Sequence, residues 1–163
     1  MMRPILETQG FAAAVFDALS SNICVTDEQG VIVAVNRAWK NFTLTNPPVS
    51  DRTGLGSHYL DVCQSAEGHA SEGAREFAQG LRAVLDGELE LFEMEYPCPS
   101  PDKDRWFSGH VTPLKNSLRG AVVSHRDITD RKLLELELMK LATTDSLTGL
   151  PNRRYFTQAA DLA

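Results

Sequence analysis

Apolar residues first recur at helical spacing. Phe11, Val15, Phe16 and Leu19, with Ala12 to Ala14 adding helix propensity, predict a short amphipathic helix over about Ile5 to Ser20. The period then shortens to that of strands. ICVTD and VIVAVN, on either side of Glu28-Gln29-Gly30, predict a hairpin of two β-branched strands joined by a glycine turn. Arg37 to Thr45 returns to helical spacing with Ala38, Trp39 and Phe42. It ends at Asn46-Pro47-Pro48, because neither proline can continue a helix. Val49 to Ser57 has two glycines and no apolar period and reads as a loop; HYLDVCQSA reads as one or two helical turns.

Ser71 to Leu85 is the clearest helix. Ser71 suits its N-cap, Glu72 its first turn and Gly87 its C-terminal cap, while Ala74, Phe77, Ala78, Leu81, Val84 and Leu85 share one side. Three strand-like runs follow: Leu89 to Tyr96, Arg105 to Leu114 and Gly120 to Ile128. Pro97, Pro99 and Pro101 with Asp102-Lys103-Asp104 separate the first two, and Asn116-Ser117 the others. Two strands, helices, then three strands predict an α+β domain whose five-stranded antiparallel sheet carries its helices on one face.

Beyond the last strand, Thr129 or Asp130 can cap a helix to Leu141. In it Leu134, Leu138 and Leu141 are spaced four and three, which is a coiled-coil seam flanked by Glu135, Glu137 and Lys140. Three seam residues are fewer than a self-sufficient coiled coil needs, so an ordinary amphipathic helix is the alternative. The chain thus divides into an N-terminal helix (1–20), a globular domain (21–128), a linker helix (129–142) and a tail (143–163) that opens TTDSLTGLPNRRYF.

Composition narrows the function classes. With 42% apolar residues in 163 the chain can bury one core, so disorder does not describe it. A net charge of −6 opposes nucleic-acid binding. Three widely spaced cysteines, Cys24, Cys63 and Cys98, form no C-x-x-C pair, which disfavours a disulfide framework or a cysteine zinc site and fits a reducing cytosol. No run approaches the roughly 20 apolar residues that span a bilayer, and the N-terminus lacks a signal-peptide pattern. A cytoplasmic location without a membrane segment is the expectation.

The element order, with DEQG after the first strand, VNRAWKNF entering the first helix and HRDITDRK leaving the last strand, resembles the PAS family over about residues 20 to 130. The resemblance implies a bacterial sensor module of PAS fold that holds a small molecule between sheet and helices, or that only dimerises. ATTDSLTGLPNRRYF looks like the opening of a GGDEF domain, the catalytic domain of diguanylate cyclases, with Asp145, Leu147, Thr148, Leu150, Asn152, Arg153 and Arg154 agreeing with that family's pattern. A catalytic domain needs at least about 50 residues, more than the 22 that follow Leu141. The chain by itself is therefore expected to be no enzyme, and its parent a diguanylate cyclase making cyclic di-GMP from GTP across a homodimer. An EAL phosphodiesterase domain can also follow in such proteins.

Candidate chemistry is sparse. Haem-binding PAS sensors hold iron through a histidine of the long helix, yet Ser71 to Leu85 has none. His58 and His69 precede it, and His110 and His125 lie on neighbouring predicted strands where either can face a cavity. LOV-type flavin photochemistry needs a cysteine where this sequence has Tyr59, with Cys63 four residues later. Both cofactors are disfavoured; the ligand class stays open, and a ligand-free dimerisation module is the alternative. Pocket candidates are Val33, Val35, Trp39, Phe42, Tyr59, Phe77, Leu81, Phe92, Met94, Trp106, Phe107, His110, Val111 and Val123, with Tyr59, Trp106 and His110 as the polar members that can orient a ligand. Most of such a set simply fills a core. Asp127, Ile128 and Thr129, at the junction of last strand and exit helix, are the candidate hinge for signal transmission with the Leu134–Leu138–Leu141 seam.

Overall fold

The computed structural model describes residues 9–46, 54–64, 70–99, 103–115 and 118–143. The GGDEF-like positions Asp145, Leu147, Thr148, Leu150, Asn152, Arg153 and Arg154 lie outside them, as does His69. The chain folds as two compact units, Met1–Asp127 and Ile128–Ala163.

The first unit runs α1 (Gln9–Ala18), β1 (Asn22–Thr26), β2 (Ile32–Val35), α2 (Arg37–Thr45), α3 (Tyr59–Gln64), α4 (Ala70–Leu85), β3 (Phe92–Pro97), β4 (Trp106–Pro113) and β5 (Ala121–Asp127). The strands form one antiparallel sheet in the order β2-β1-β5-β4-β3. The α+β architecture expected from the sequence is the one observed, with α2 and α4 packed on the sheet. In the β1–β2 turn, Asp27 Oδ1 accepts from Gln29 N at 3.0 Å and Val31 N at 2.9 Å, and Gly30 takes φ +85°. A side chain there would be strained, which is why the turn needs glycine.

Among the boundaries that differ from the sequence pattern are three. α4 starts at Ala70, so Ser71 sits in its first turn rather than capping it. β3 starts at Phe92, leaving Leu89 and Leu91 exposed ahead of it. The helix of the second unit, α5 (Thr129–Thr143), begins at Thr129, which places Thr129 and Asp130 inside its first turn; there the Asp130 carboxylate favours the helix dipole.

One buried side chain organises the start of the domain. Asn36 is fully buried and is the N-cap of α2. Its Oδ1 accepts from Trp39 N at 2.9 Å and from Ile23 N at 3.0 Å. Its Nδ2 donates to Ser21 O at 2.9 Å and, longer, to Phe16 O and Leu19 O. A single amide therefore joins the end of α1, the edge of β1 and the first turn of α2, and sets where Trp39 points. Arg37 N adds a bond to Asp17 Oδ1 at 2.8 Å.

Two glycines let α4 lie close on the sheet. A Cβ at Gly109 of β4 would come within 2.4 Å of the Phe77 ring, and one at Gly80 of α4 within 2.4 Å of the Phe92 ring. Helix phenylalanine sits over strand glycine, and strand phenylalanine over helix glycine.

Replacing Asn36 strands several buried backbone groups at once. Asn36→Ala is expected to lose about 3 kcal/mol of stability, read as a lower urea midpoint at unchanged slope.

Candidate functional site

The inner face of the sheet follows from strand alternation. On β4 Phe107, Gly109 and Val111 are buried, and on β5 Ala121 and Val123. His125 continues the β5 series. It pairs with Asn22 on β1 and Gly109 on β4, and Gly109 pairs in turn with Met94 on β3. Because Gly109 has no side chain, Phe77 reaches down beside His125, with ring centroids 5.0 Å apart.

Aromatic rings enclose the imidazole. Trp39 of α2 lies 6.0 Å away, Tyr59 of α3 is stacked at 6.3 Å, and Tyr96 of β3 stands edge-on at 5.8 Å. Both ring nitrogens are engaged: Tyr59 Oη lies 2.6 Å from Nε2 and Tyr96 Oη 2.6 Å from Nδ1. A neutral imidazole has one N–H and one lone pair, so one phenol donates to the ring and the other accepts from it. Burial, reinforced by the charge of His110 across the sheet, pulls the His125 pKa down to about 4. The site is thus an uncharged phenol–imidazole–phenol chain that ties α3, β5 and β3 together, two residues before β5 ends.

Of the pocket candidates, Trp39, Tyr59, Phe77, Leu81, Val111 and Val123 are buried in one cluster, with Val35, Phe92 and Met94 packed against it. Phe107 is buried on the same face, and Phe42 meets it edge-on at 5.6 Å. Arg105 lies over both Phe42 and Phe107 and bonds Asn46 Oδ1 at 2.9 Å, which joins α2 to β4.

Three candidates are corrected. Trp106 and His110 alternate with Phe107 and Val111, and so belong to the opposite face of the sheet. Val33 is exposed, because a register shift between Val25 and Thr26 turns Ile32 and Val35 inward instead. On that outer face His110 Nδ1 lies 2.8 Å from Glu93 Oε1, and Nε2 3.0 Å from Ser108 Oγ. The line has the connectivity of a nucleophile, base and orienting acid. It lies, however, on a central strand whose amides serve both neighbouring ladders, so β4 supplies no donors for an oxyanion. An open groove of about 490 Å³ runs along α4 past Leu60, Arg75, Gln79 and Arg82, and His125 is not in its lining.

His125 and Tyr96 are the site residues missing from the sequence-based set of pocket candidates that orient a ligand. The available signal is parity: Tyr96 alternates in step with Phe92 and Met94, and His125 with Val123. Where LOV domains need cysteine, Tyr59 supplies the hydroxyl on His125. The side chain of Cys63 lies outside the described residues.

Two outcomes are expected. As pH falls, the unfolded chain takes up a proton on this histidine near the usual 6.5, while the folded chain resists until about 4. The folded state therefore loses up to about 3 kcal/mol between those values, and His125→Gln removes that part of the pH dependence in urea titrations. Gly109→Ala pushes Phe77 off the sheet and is expected to cost about 2 kcal/mol, with a changed near-ultraviolet circular dichroism from the disturbed aromatic cluster.

Comparisons with known proteins agree with this fold. The family model described as PAS fold matches residues 16–133. An uncharacterised 104.1 kDa protein of Rhodobacter capsulatus, encoded in the hypE 3′ region, is 42% identical over 118 residues; these make up 71% of this chain but only 12% of that protein. The PAS domain of Bordetella pertussis BvgS aligns with TM-score 0.55 and 21% identity, over 82% of this chain and 95% of its own. The phage VqmA–DPO complex aligns with TM-score 0.53 and 16% identity, over 82% of this chain and 59% of its own. On the family match, the strand order and the helices over the sheet, the chain belongs to the PAS-fold family.

Proposed function

We propose that this chain is the sensory module of a diguanylate cyclase, taking a small molecule at the His125 site and passing the signal through α5 to a GGDEF domain. The observation that carries the sensing half is the polar chain Tyr59–His125–Tyr96 inside an otherwise aromatic layer. Buried hydrogen-bonding groups cost stability unless matched, and a set that also joins three elements suits a site whose partners change on binding. VqmA, which shares the fold, is seen in complex with DPO.

The output half rests on the tail. ATTDSLTGLPNRRYF begins in the last two residues of α5 and resembles a GGDEF opening over Asp145 to Arg154. Within α5, Leu134, Leu138 and Leu141 are each more than half exposed, which fits pairing with the same helix of a second copy. Condensing two GTP molecules into cyclic di-GMP requires two half-sites to meet, so the chemistry itself asks for a dimer. His125 lies two residues before Asp127, and Asp127-Ile128-Thr129 is the hinge through which a shift of β5 reorients the α5 pair. The chain by itself carries no turnover in this reading.

A second reading, a ligand-free dimerisation module, is favoured by one fact: both His125 nitrogens are already satisfied within the protein.

The test uses the 163-residue chain and its parent protein. The chain is expected to sediment as a dimer, Leu138→Glu to sediment as a monomer, and the same substitution in the parent to lower cyclic di-GMP synthesis at least tenfold. GTP turnover by the chain alone, or a parent indifferent to Leu138→Glu, contradicts the proposal.

A further inference from the structure

Away from the His125 site, the outer face of the sheet gathers a hydroxyl, an imidazole and a carboxylate. Strand alternation puts Ser108 and His110 of β4 on that face. The register sets Glu93 of β3 beside His110, and Arg126 of β5 beside Ser108. The His110 side chain is 41% exposed and that of Glu93 53%, and Arg126 is exposed as well, so the group is open to small molecules from solvent.

The order of the three groups fixes where the proton sits. Glu93 Oε1 lies 2.8 Å from His110 Nδ1, and Ser108 Oγ lies 3.0 Å from Nε2. A carboxylate only accepts, so the proton of a neutral imidazole is held on Nδ1. Nε2 then offers its lone pair, and the Ser108 hydroxyl donates to it. The proton that a serine must lose to attack is thus directed at a base, and the base is held in the tautomer that can take it. A serine hydroxyl is otherwise a weak nucleophile, and a positioned base raises its rate by about 10²–10⁴-fold.

Attack on a carbonyl also places negative charge on the carbonyl oxygen. The amides of β4 are committed to both ladders, so a side chain has to meet that charge. Arg126, the cross-strand neighbour of Ser108, brings a permanent positive charge to this face. Being exposed, it stabilises less than a buried donor does. The site therefore suits acyl donors whose leaving group needs little help. Glu93 and Glu95 lie on the same face of β3 and disfavour a donor that carries negative charge.

We propose that Ser108 is an acyl-accepting nucleophile, with His110 as its base, Glu93 positioning His110, and a small uncharged activated ester as the donor. Ser108 Oγ forms a bond to the acyl carbon while His110 Nε2 takes its proton. The bond from the acyl carbon to the leaving oxygen breaks; the leaving group departs with the electron pair and takes the proton from His110. The product is an acyl-serine, an alkyl ester with a poor leaving group. Its hydrolysis is slow without backbone donors, so the modification accumulates rather than turning over. The proposal is independent of the sensing role of His125 on the other face.

The full chain is incubated with p-nitrophenyl acetate, and the acetyl group is located by mass spectrometry in the tryptic peptide Trp106–Lys115. One acetyl on Ser108 is expected, formed about a hundredfold faster than in the urea-unfolded chain. His110→Gln is expected to slow labelling about a hundredfold and Arg126→Ala about tenfold. Glu93→Ala is expected to slow it about tenfold, and Glu93→Gln, which keeps an acceptor oxygen, to restore most of that loss. A fluorophosphonate, which bonds the same hydroxyl with loss of fluoride, is expected to label Ser108 and to block later acetylation. Labelling of Ser108 no faster than in the unfolded chain, or equally fast in His110→Gln, overturns the proposal. So does an acetyl group carried by His110 in place of Ser108.

Discussion

A histidine held uncharged between two tyrosines is the constraint on which this domain turns. The imidazole sits where α3, β3 and β5 converge, and each nitrogen must be matched because the surrounding layer is aromatic. Satisfied, the three groups lock the helix side of the domain to both the centre and the edge of the sheet. If either phenol is removed, a buried imidazole nitrogen is left without its partner, a loss of order 1–3 kcal/mol.

The rest of the fold serves to place that chain. Asn36 joins α1, β1 and α2 and thereby aims Trp39 at His125, 6.0 Å away. Gly109 and Gly80 remove two side chains so that α4 and the sheet close on each other through Phe77 and Phe92. Arg105 fastens the far end of α2 to β4. Each is a local solution to a polar or steric problem, and together they set the surroundings of the imidazole. Fold membership follows from this architecture and the family match; the proposed output through cyclic di-GMP rests on the tail sequence alone.

Local features are legible in the sequence. The helix Arg37–Thr45 can be read to the residue, because Asn36 caps its start and paired prolines follow its end. The five strands of an antiparallel sheet follow from alternation and turns, whereas their order does not. Facing on β4 is harder: Trp106, Phe107, His110 and Val111 cannot all line one pocket, since neighbouring strand residues point to opposite sides. Choosing the correct side requires knowing where α4 lies, and that depends on Gly109 meeting Phe77. The central site is less accessible still. Tyr59 and His125 are 66 residues apart and Tyr96 and His125 are 29 apart, and no local pattern announces contacts at such separations.

Nitrogen-15 NMR of the His125 ring tests the central claim most directly, because it reports protonation and tautomer at each nitrogen. The account predicts one neutral tautomer, with one protonated and one hydrogen-bonded unprotonated nitrogen, unchanged from pH 8 down to about pH 5. A ring that titrates near 6.5, or that exchanges freely between tautomers, would contradict it.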